Sequence, residues 1–113
     1  MNNLTVDDFY DILKIYYKSK ELTYTIKDAI KELKTVLQDI KPNIYNKIEE
    51  LEENDFKLLV DSLEDLSDLL SCEFSQLYAM DEDKEYNAEK QYNLKNKIYE
   101  VCKSTFEDII FGG

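Results

Sequence analysis

The chain has 113 residues and a formal net charge of -11, from 25 Asp and Glu against 14 basic residues, all of them lysine. This balance disfavours binding to nucleic acids or anionic membranes, because phosphate contacts depend on clustered lysine and arginine. Two glycines and one proline are too few for a turn-rich β-sandwich or barrel. The composition predicts a single helical domain over residues 1–113.

Threonines mark the first two predicted helices. Thr5 followed by Asp8 has the pattern of a capping box, and the apolar spacing after it predicts a helix over residues 6–18. Thr25 repeats the signal, and the apolar spacing after it continues until the step into Pro42, where a helix is expected to end.

A short third helix and a long fourth helix follow. Pro42 suits the first turn of a helix, since its missing N–H donor has no intrahelical partner there. Asn54 is the predicted cap of the fourth helix. The apolar residues of that helix recur every three or four positions, as expected for one buried face: Phe56, Leu59, Leu63, Leu66, Leu70, Phe74 and Leu77.

Residues 80–85 form an acidic interruption, after which apolar spacing resumes from Leu94 to Ile109. A hairpin at the interruption is favoured, because one helix over residues 55–110 would be about 84 Å long. The alternative, a continuous helix within a coiled coil, stays open. The predicted fold is an all-α antiparallel bundle of four long helices plus one short helix, with a frayed tail at 111–113.

The residue types needed for most enzyme chemistry are missing. The absence of histidine removes the commonest general base and the imidazole metal ligands. Cys72 and Cys102 are expected to be reduced and buried. Residues 81–86 begin like a calcium loop, but Tyr86 stands where that motif needs glycine. The sequence therefore predicts no catalytic residue, no metal ligand and no cofactor.

One acidic constellation offers an enzymatic alternative. Carboxylates three residues apart share a helix face, and two such faces could hold Mg²⁺. The pattern Glu49-x-x-Glu52 followed by Asp65-x-x-Asp68 resembles the paired acidic motifs of the all-α MazG-type nucleotide pyrophosphohydrolases. The chain departs from the family at Asp65, where glutamate is usual. The resemblance implies Mg²⁺-dependent hydrolysis of nucleoside triphosphates.

The favoured interpretation is a non-catalytic acidic protein that inhibits or neutralises a protein partner with a basic surface. We expect it in the cytoplasm as a monomer or homodimer, without direct contact with nucleic acid or membrane. Phage-encoded inhibitors of nucleic-acid-binding host proteins, anti-CRISPR proteins among them, are often small and acidic, and the chain is compared with them on size and charge. Bacteriocin or toxin immunity proteins and antitoxins are the alternative class. The predicted partner-binding residues are Glu49, Glu52, Glu53, Asp61, Asp65, Asp68, Asp81, Asp83 and Tyr86.

Overall fold

A computed structural model describes the backbone of residues 4–82 and 87–112, and the side chains of 4–79 and 87–109. This part of the chain is all-α, as predicted, and contains no strand. It has six helices where the sequence predicted four long and one short. They are α1 (Val6–Leu22), α2 (Ile26–Ile40), α3 (Pro42–Glu49), α4 (Glu53–Leu69), α5 (Ser71–Glu82) and α6 (Ala88–Gly112).

The first three helices begin where the capping residues predicted. The Asp8 backbone N–H donates to Thr5 Oγ1 at 3.1 Å, and the Thr5 N–H donates to the Asp8 carboxylate at 3.2 Å. The Thr25 hydroxyl caps α2 in the same way, by accepting from the backbone N–H three residues on. Pro42 opens α3. The two threonine caps satisfy N–H groups that have no intrahelical acceptor and so fix where α1 and α2 start. Pro42 acts differently, because it has no N–H group that would need a partner.

The start of α4 differs from the prediction. Asn54 is not the cap: Glu52 occupies the capping position with an extended backbone, and the helix begins at Glu53. The Glu52 side chain makes no capping hydrogen bond. Glu53 and Asp55 instead place negative charge in the first turn, where it interacts favourably with the positive end of the helix dipole.

The predicted fourth helix is divided at Leu70 into α4 and α5. Hydrogen bonds of 2.9 Å from Leu70 N–H to Leu66 O and from Phe74 N–H to Leu70 O continue the ladder through the division. The Tyr17 hydroxyl on α1 lies at the start of α5, 3.5 Å from Ser71 O and 2.8 Å from Ser75 Oγ. Leu70 itself, with φ -102° and ψ 16°, departs from helical dihedrals, which is where the two helices are divided.

The core is built around α1, which contacts α2, α4, α5 and α6. Phe9 stacks on Phe106 of α6 with ring centroids 5.6 Å apart, and Tyr17 stacks on Phe74 of α5 at 5.0 Å. These four side chains are buried. All six helices contribute buried residues to the same cluster, so the amphipathic faces inferred from the sequence meet in one core.

Helices α5 and α6 pack against each other. Lys97 Nζ of α6 lies 2.6 Å from Glu73 Oε1 of α5, whereas in one continuous helix these residues would be about 36 Å apart. The continuous alternative over residues 55–110 is therefore wrong. Among the residues that the structure describes, no helix is long and apolar enough to cross a membrane.

The two cysteines are free thiols in different surroundings. Cys102 on α6 is buried, as predicted, but Cys72 on α5 is exposed. The expectation that both pack in the core was wrong for Cys72, because it lies two positions from both Leu70 and Phe74, on the side of the helix opposite to those buried residues.

Candidate functional site

The α4 helix carries a row of carboxylates at positions that the sequence assigned to partner binding. Asp61, Asp65 and Asp68 follow one another at intervals of four and three residues, so they share one side of the helix. All three are exposed. Over its whole length α4 has six carboxylates and one lysine. The helix therefore presents a concentrated negative surface to solvent.

Two exposed leucines lie along the same side of α4. Leu58 and Leu69 are 44% and 69% exposed, although Leu59, next to the first of them, is buried. The two exposed leucines are eleven positions apart, which brings them to within about 20° of each other around the helix axis. We call this surface the α4 outer face; it consists of Leu58, Asp61, Asp65, Asp68 and Leu69.

One end of the α4 outer face is covered by a lysine from α1. Lys20 Nζ lies 2.8 Å from Glu64 Oε1 and 2.6 Å from Asp68 Oδ1. Burial opposes the charged form of Lys20, but its hydrogen bonds to Asp68 and Glu64 outweigh burial and raise its pKa. Tyr16 also donates to Glu64; burial first, and then this hydrogen bond, raise the pKa of Tyr16. The Glu64–Asp68 pair thus holds an ammonium group.

Asp61 and Asp65 have the same spacing as Glu64 and Asp68, three residues earlier along the helix. Within the described part of the chain, neither of them forms an ion pair. Both side chains are exposed. These carboxylates are therefore available to a positively charged group from outside the molecule.

The predicted residues at the α3–α4 junction lie beside the α4 outer face. Glu49 is paired with Lys34 of α2 at 3.3 Å. Glu52 and Glu53 are exposed and form no ion pair with any described residue. Glu53 precedes Asp61 by about 12 Å along the helix axis and is turned about 80° from it. Glu53 therefore extends the negative surface but points in a different direction from Asp61.

The structure describes only part of the acidic segment at residues 80–85. Asp81 belongs to the last turn of α5, and its side chain is not described. Asp83 and Tyr86 lie outside the described residues. Of the tyrosines near this segment, Tyr78 is half-buried and donates to Lys14 O at 2.9 Å. Tyr92 is 66% exposed.

The resemblance to MazG-type enzymes would need several carboxylates at one point. Among the described residues, no three acidic or cysteine side chains are grouped closely enough to hold a metal ion. Glu49, Glu52, Asp65 and Asp68 are therefore not brought together in this structure. Two of the four, Glu49 and Asp68, are paired with lysines instead.

Charge is unevenly divided along the sequence. Residues 1–48 contain eight lysines and seven carboxylates, whereas residues 49–113 contain six lysines and 18 carboxylates. Residues 1–48 also carry the lysines of most ion pairs that join different helices in the described part of the chain, such as Lys41 with Asp11 and Lys47 with Asp8. The excess negative charge belongs to the part of the chain that contains α4.

Sequence reasoning found the carboxylates of the α4 outer face but missed Leu58, Leu69 and Lys20. A signal for the leucines was present, since Leu58-Leu59 and Leu69-Leu70 are adjacent pairs. Adjacent residues point about 100° apart on a helix, so a narrow buried face does not accommodate both. No local signal marks Lys20, whose partners are 44 and 48 residues away.

No protein-family model, curated protein or solved structure matches this chain.

Proposed function

We propose that this chain is a non-catalytic acidic binding protein that inhibits or neutralises a protein partner with a basic surface. The observation that carries the proposal is the α4 outer face, where Asp61 and Asp65 are exposed and form no ion pair with any described residue. Exposed carboxylates that are not paired repel one another and favour a cationic partner.

Net charge supports the same function through the rate of association. A protein with a net charge of -11 attracts a basic partner over distances comparable to the Debye length, about 10 Å at 0.1 M salt. Such attraction raises the association rate more than it adds to the final affinity. This suits an inhibitor that must reach its target before the target's own ligand does.

The proposal also includes a location, an oligomeric state and a kind of target. We place the protein in the cytoplasm, as a monomer or homodimer folded as one antiparallel helical bundle over residues 1–113. A phage-encoded inhibitor of a nucleic-acid-binding host protein fits best, since such a target has a basic groove that a negatively charged helix could occupy in place of phosphates. Direct nucleic-acid or membrane binding is not part of the proposal.

The test begins with identification of the partner by affinity capture from the native host and mass spectrometry. The dissociation constant of the complex between the chain and this partner is then measured between about 50 and 300 mM salt. We expect the affinity of the native protein to fall steeply over this range. Asp61→Lys and Glu52→Lys should weaken binding and flatten the salt dependence, and Asp83→Lys tests the segment after α5 in the same way.

Asp39→Lys is the matched control, because Asp39 is an exposed carboxylate on α2 and does not belong to the α4 outer face. Binding that is insensitive to salt and to Asp61→Lys would overturn the proposal and favour an immunity protein or antitoxin with an apolar interface. Phosphate release from a nucleoside triphosphate with Mg²⁺ or Mn²⁺, abolished by Asp68→Ala, would favour the MazG-like alternative instead.

A further inference from the structure

The α4 outer face has an exposed leucine at each end and carboxylates between them. Leu58 and Leu69 lie about 16 Å apart along the helix axis, equal to three helical turns. Asp61 and Asp65 lie between them in sequence and are turned by about 60° and 20° from Leu58. A ligand that covers both leucines must therefore pass beside both carboxylates.

The chain itself shows what a pair of carboxylates four residues apart on this helix can hold. Glu64 and Asp68 both accept hydrogen bonds from Lys20 Nζ, at 2.8 and 2.6 Å. Asp61 and Asp65 repeat that spacing and have no lysine within ion-pairing distance in the described residues. A lysine or arginine of a partner can therefore bind there as Lys20 binds to the neighbouring pair.

From this arrangement we infer that the α4 outer face binds a basic amphipathic helix of the partner. This inference rests on the proposed function and makes it more specific. The partner helix places apolar side chains over Leu58 and Leu69 and a lysine or arginine between Asp61 and Asp65. Two helices that cross at about 20° stay in contact over several turns, which matches the separation of the leucines.

A helix fits this face better than an extended strand does. The described residues contain no strand, so they offer no sheet edge whose backbone groups could pair with an extended peptide. A helical ligand satisfies its own backbone hydrogen bonds and needs only side-chain contacts. Apolar anchors at helical intervals, with basic residues between them, are then sufficient for recognition.

Charge excludes the most obvious competing occupant. A second copy of this chain would bring another α4, with its six carboxylates and one lysine, against the first one, and like charges facing each other are unfavourable. Another exposed apolar group, Leu22, Tyr24 and Ile26, lies at the α1–α2 turn. Of the carboxylates beside it, Glu21 is paired with Lys18 and Asp28 adjoins Lys27, so that group has no excess negative charge to attract a basic helix.

The test uses a synthetic, fluorescently labelled helical peptide. Its sequence has two leucines eleven positions apart and arginines on the same side between them. A second peptide has the same composition in scrambled order, so that its charge is unchanged but its apolar and basic residues are no longer aligned. Binding of both peptides to the full-length chain is measured by fluorescence anisotropy at about 0.1 M salt.

We expect the ordered peptide to bind more tightly than the scrambled one by on the order of tenfold. Leu58→Ser with Leu69→Ser should remove that difference. The double variant Asp61→Asn with Asp65→Asn should bind both peptides more weakly, and the loss of affinity should be larger for the ordered peptide. The control variant combines Asp39→Asn with Ile40→Ser, an exposed carboxylate and an exposed isoleucine at the end of α2, and should bind as the native chain does.

Equal binding of the two peptides, with no effect of the leucine substitutions, would overturn the helix inference but leave the proposed function standing. No binding of either peptide would overturn the inference, while the proposed function would still be judged on the captured partner. A dimer seen by analytical ultracentrifugation, and dissociated by the leucine substitutions, would assign the α4 outer face to a second copy and also overturn the inference.

Discussion

The buried thiol of Cys102 is expected to make the folded protein sensitive to alkaline pH. Its side chain on α6 is 0% exposed, and burial raises its pKa from 9.0 to about 12. In the unfolded chain the thiol loses its proton near pH 9, whereas the folded protein retains it. Its contribution to stability is therefore complete below pH 9 and is lost as the pH rises toward 12.

The size of the effect follows from these two pKa values. Linkage gives a loss of about 1.4 kcal/mol from Cys102 alone between pH 8 and pH 10, where only the unfolded thiol ionises to a large extent. Burial also raises the pKa of Tyr10, to about 12, and this acts in the same direction. Because ionisation of Tyr10 in the unfolded state begins about one pH unit higher, its loss over that interval is smaller, about 0.4 kcal/mol.

The measurement is urea denaturation followed by circular dichroism at pH 8 and pH 10, under reducing conditions. Cys102→Ala should reduce stability at both pH values because it leaves a cavity, but its further loss at pH 10 should be about 1.4 kcal/mol smaller than that of the native chain. Cys72→Ala, at the exposed cysteine, should lose as much as the native chain. An equal pH-dependent loss in Cys102→Ala and Cys72→Ala would refute the reasoning.

Three further predictions concern the caps, the core and the thiols. Thr5→Ala should reduce the free energy of unfolding by about 1 kcal/mol, because alanine lacks the hydroxyl oxygen that accepts from the Asp8 N–H. Thr5→Ser keeps that oxygen and should retain most of the stability; equal losses in the two variants would contradict the cap. Phe74→Ala should reduce the free energy of unfolding by about 3–5 kcal/mol, because it leaves a cavity in the core beside Tyr17. Phe74→Leu should cost clearly less, and both values are measured by urea denaturation. A loss below about 1 kcal/mol in Phe74→Ala would place Phe74 outside the core. A thiol reagent should label Cys72 rapidly and Cys102 only after unfolding; fewer than two thiols under denaturing, non-reducing conditions would indicate a disulfide.

The helix starts were predictable because their causes are local. Thr5, Thr25 and Pro42 each act within one turn of the helix that they begin. The division at Leu70 has no local signal, since no glycine or proline lies near it. The tyrosine at that point, Tyr17, is 54 residues from Ser71. A division that lies beside such a distant contact appears only once the tertiary structure is known.

The candidate site, like the helices, was predictable from the sequence only in part. That Asp61, Asp65 and Asp68 share a side of α4 follows from helical periodicity alone. Which of them has a counter-charge does not, because Lys20 reaches Asp68 only through the packing of α1 on α4. Asn54 was misassigned because several polar residues stood near the same helix start, and composition alone did not decide among them.

The central position of α1 determines when the core can close during synthesis. The Phe9–Phe106 contact joins residues separated by 97 positions. At about 5–20 residues per second, a ribosome needs on the order of 5–20 s to make that interval. Until then the nascent α1 can pack against α2 but lacks its partner on α6, so part of its apolar side stays in water. The newly made chain therefore passes through a stage at which chaperones and proteases can recognise it.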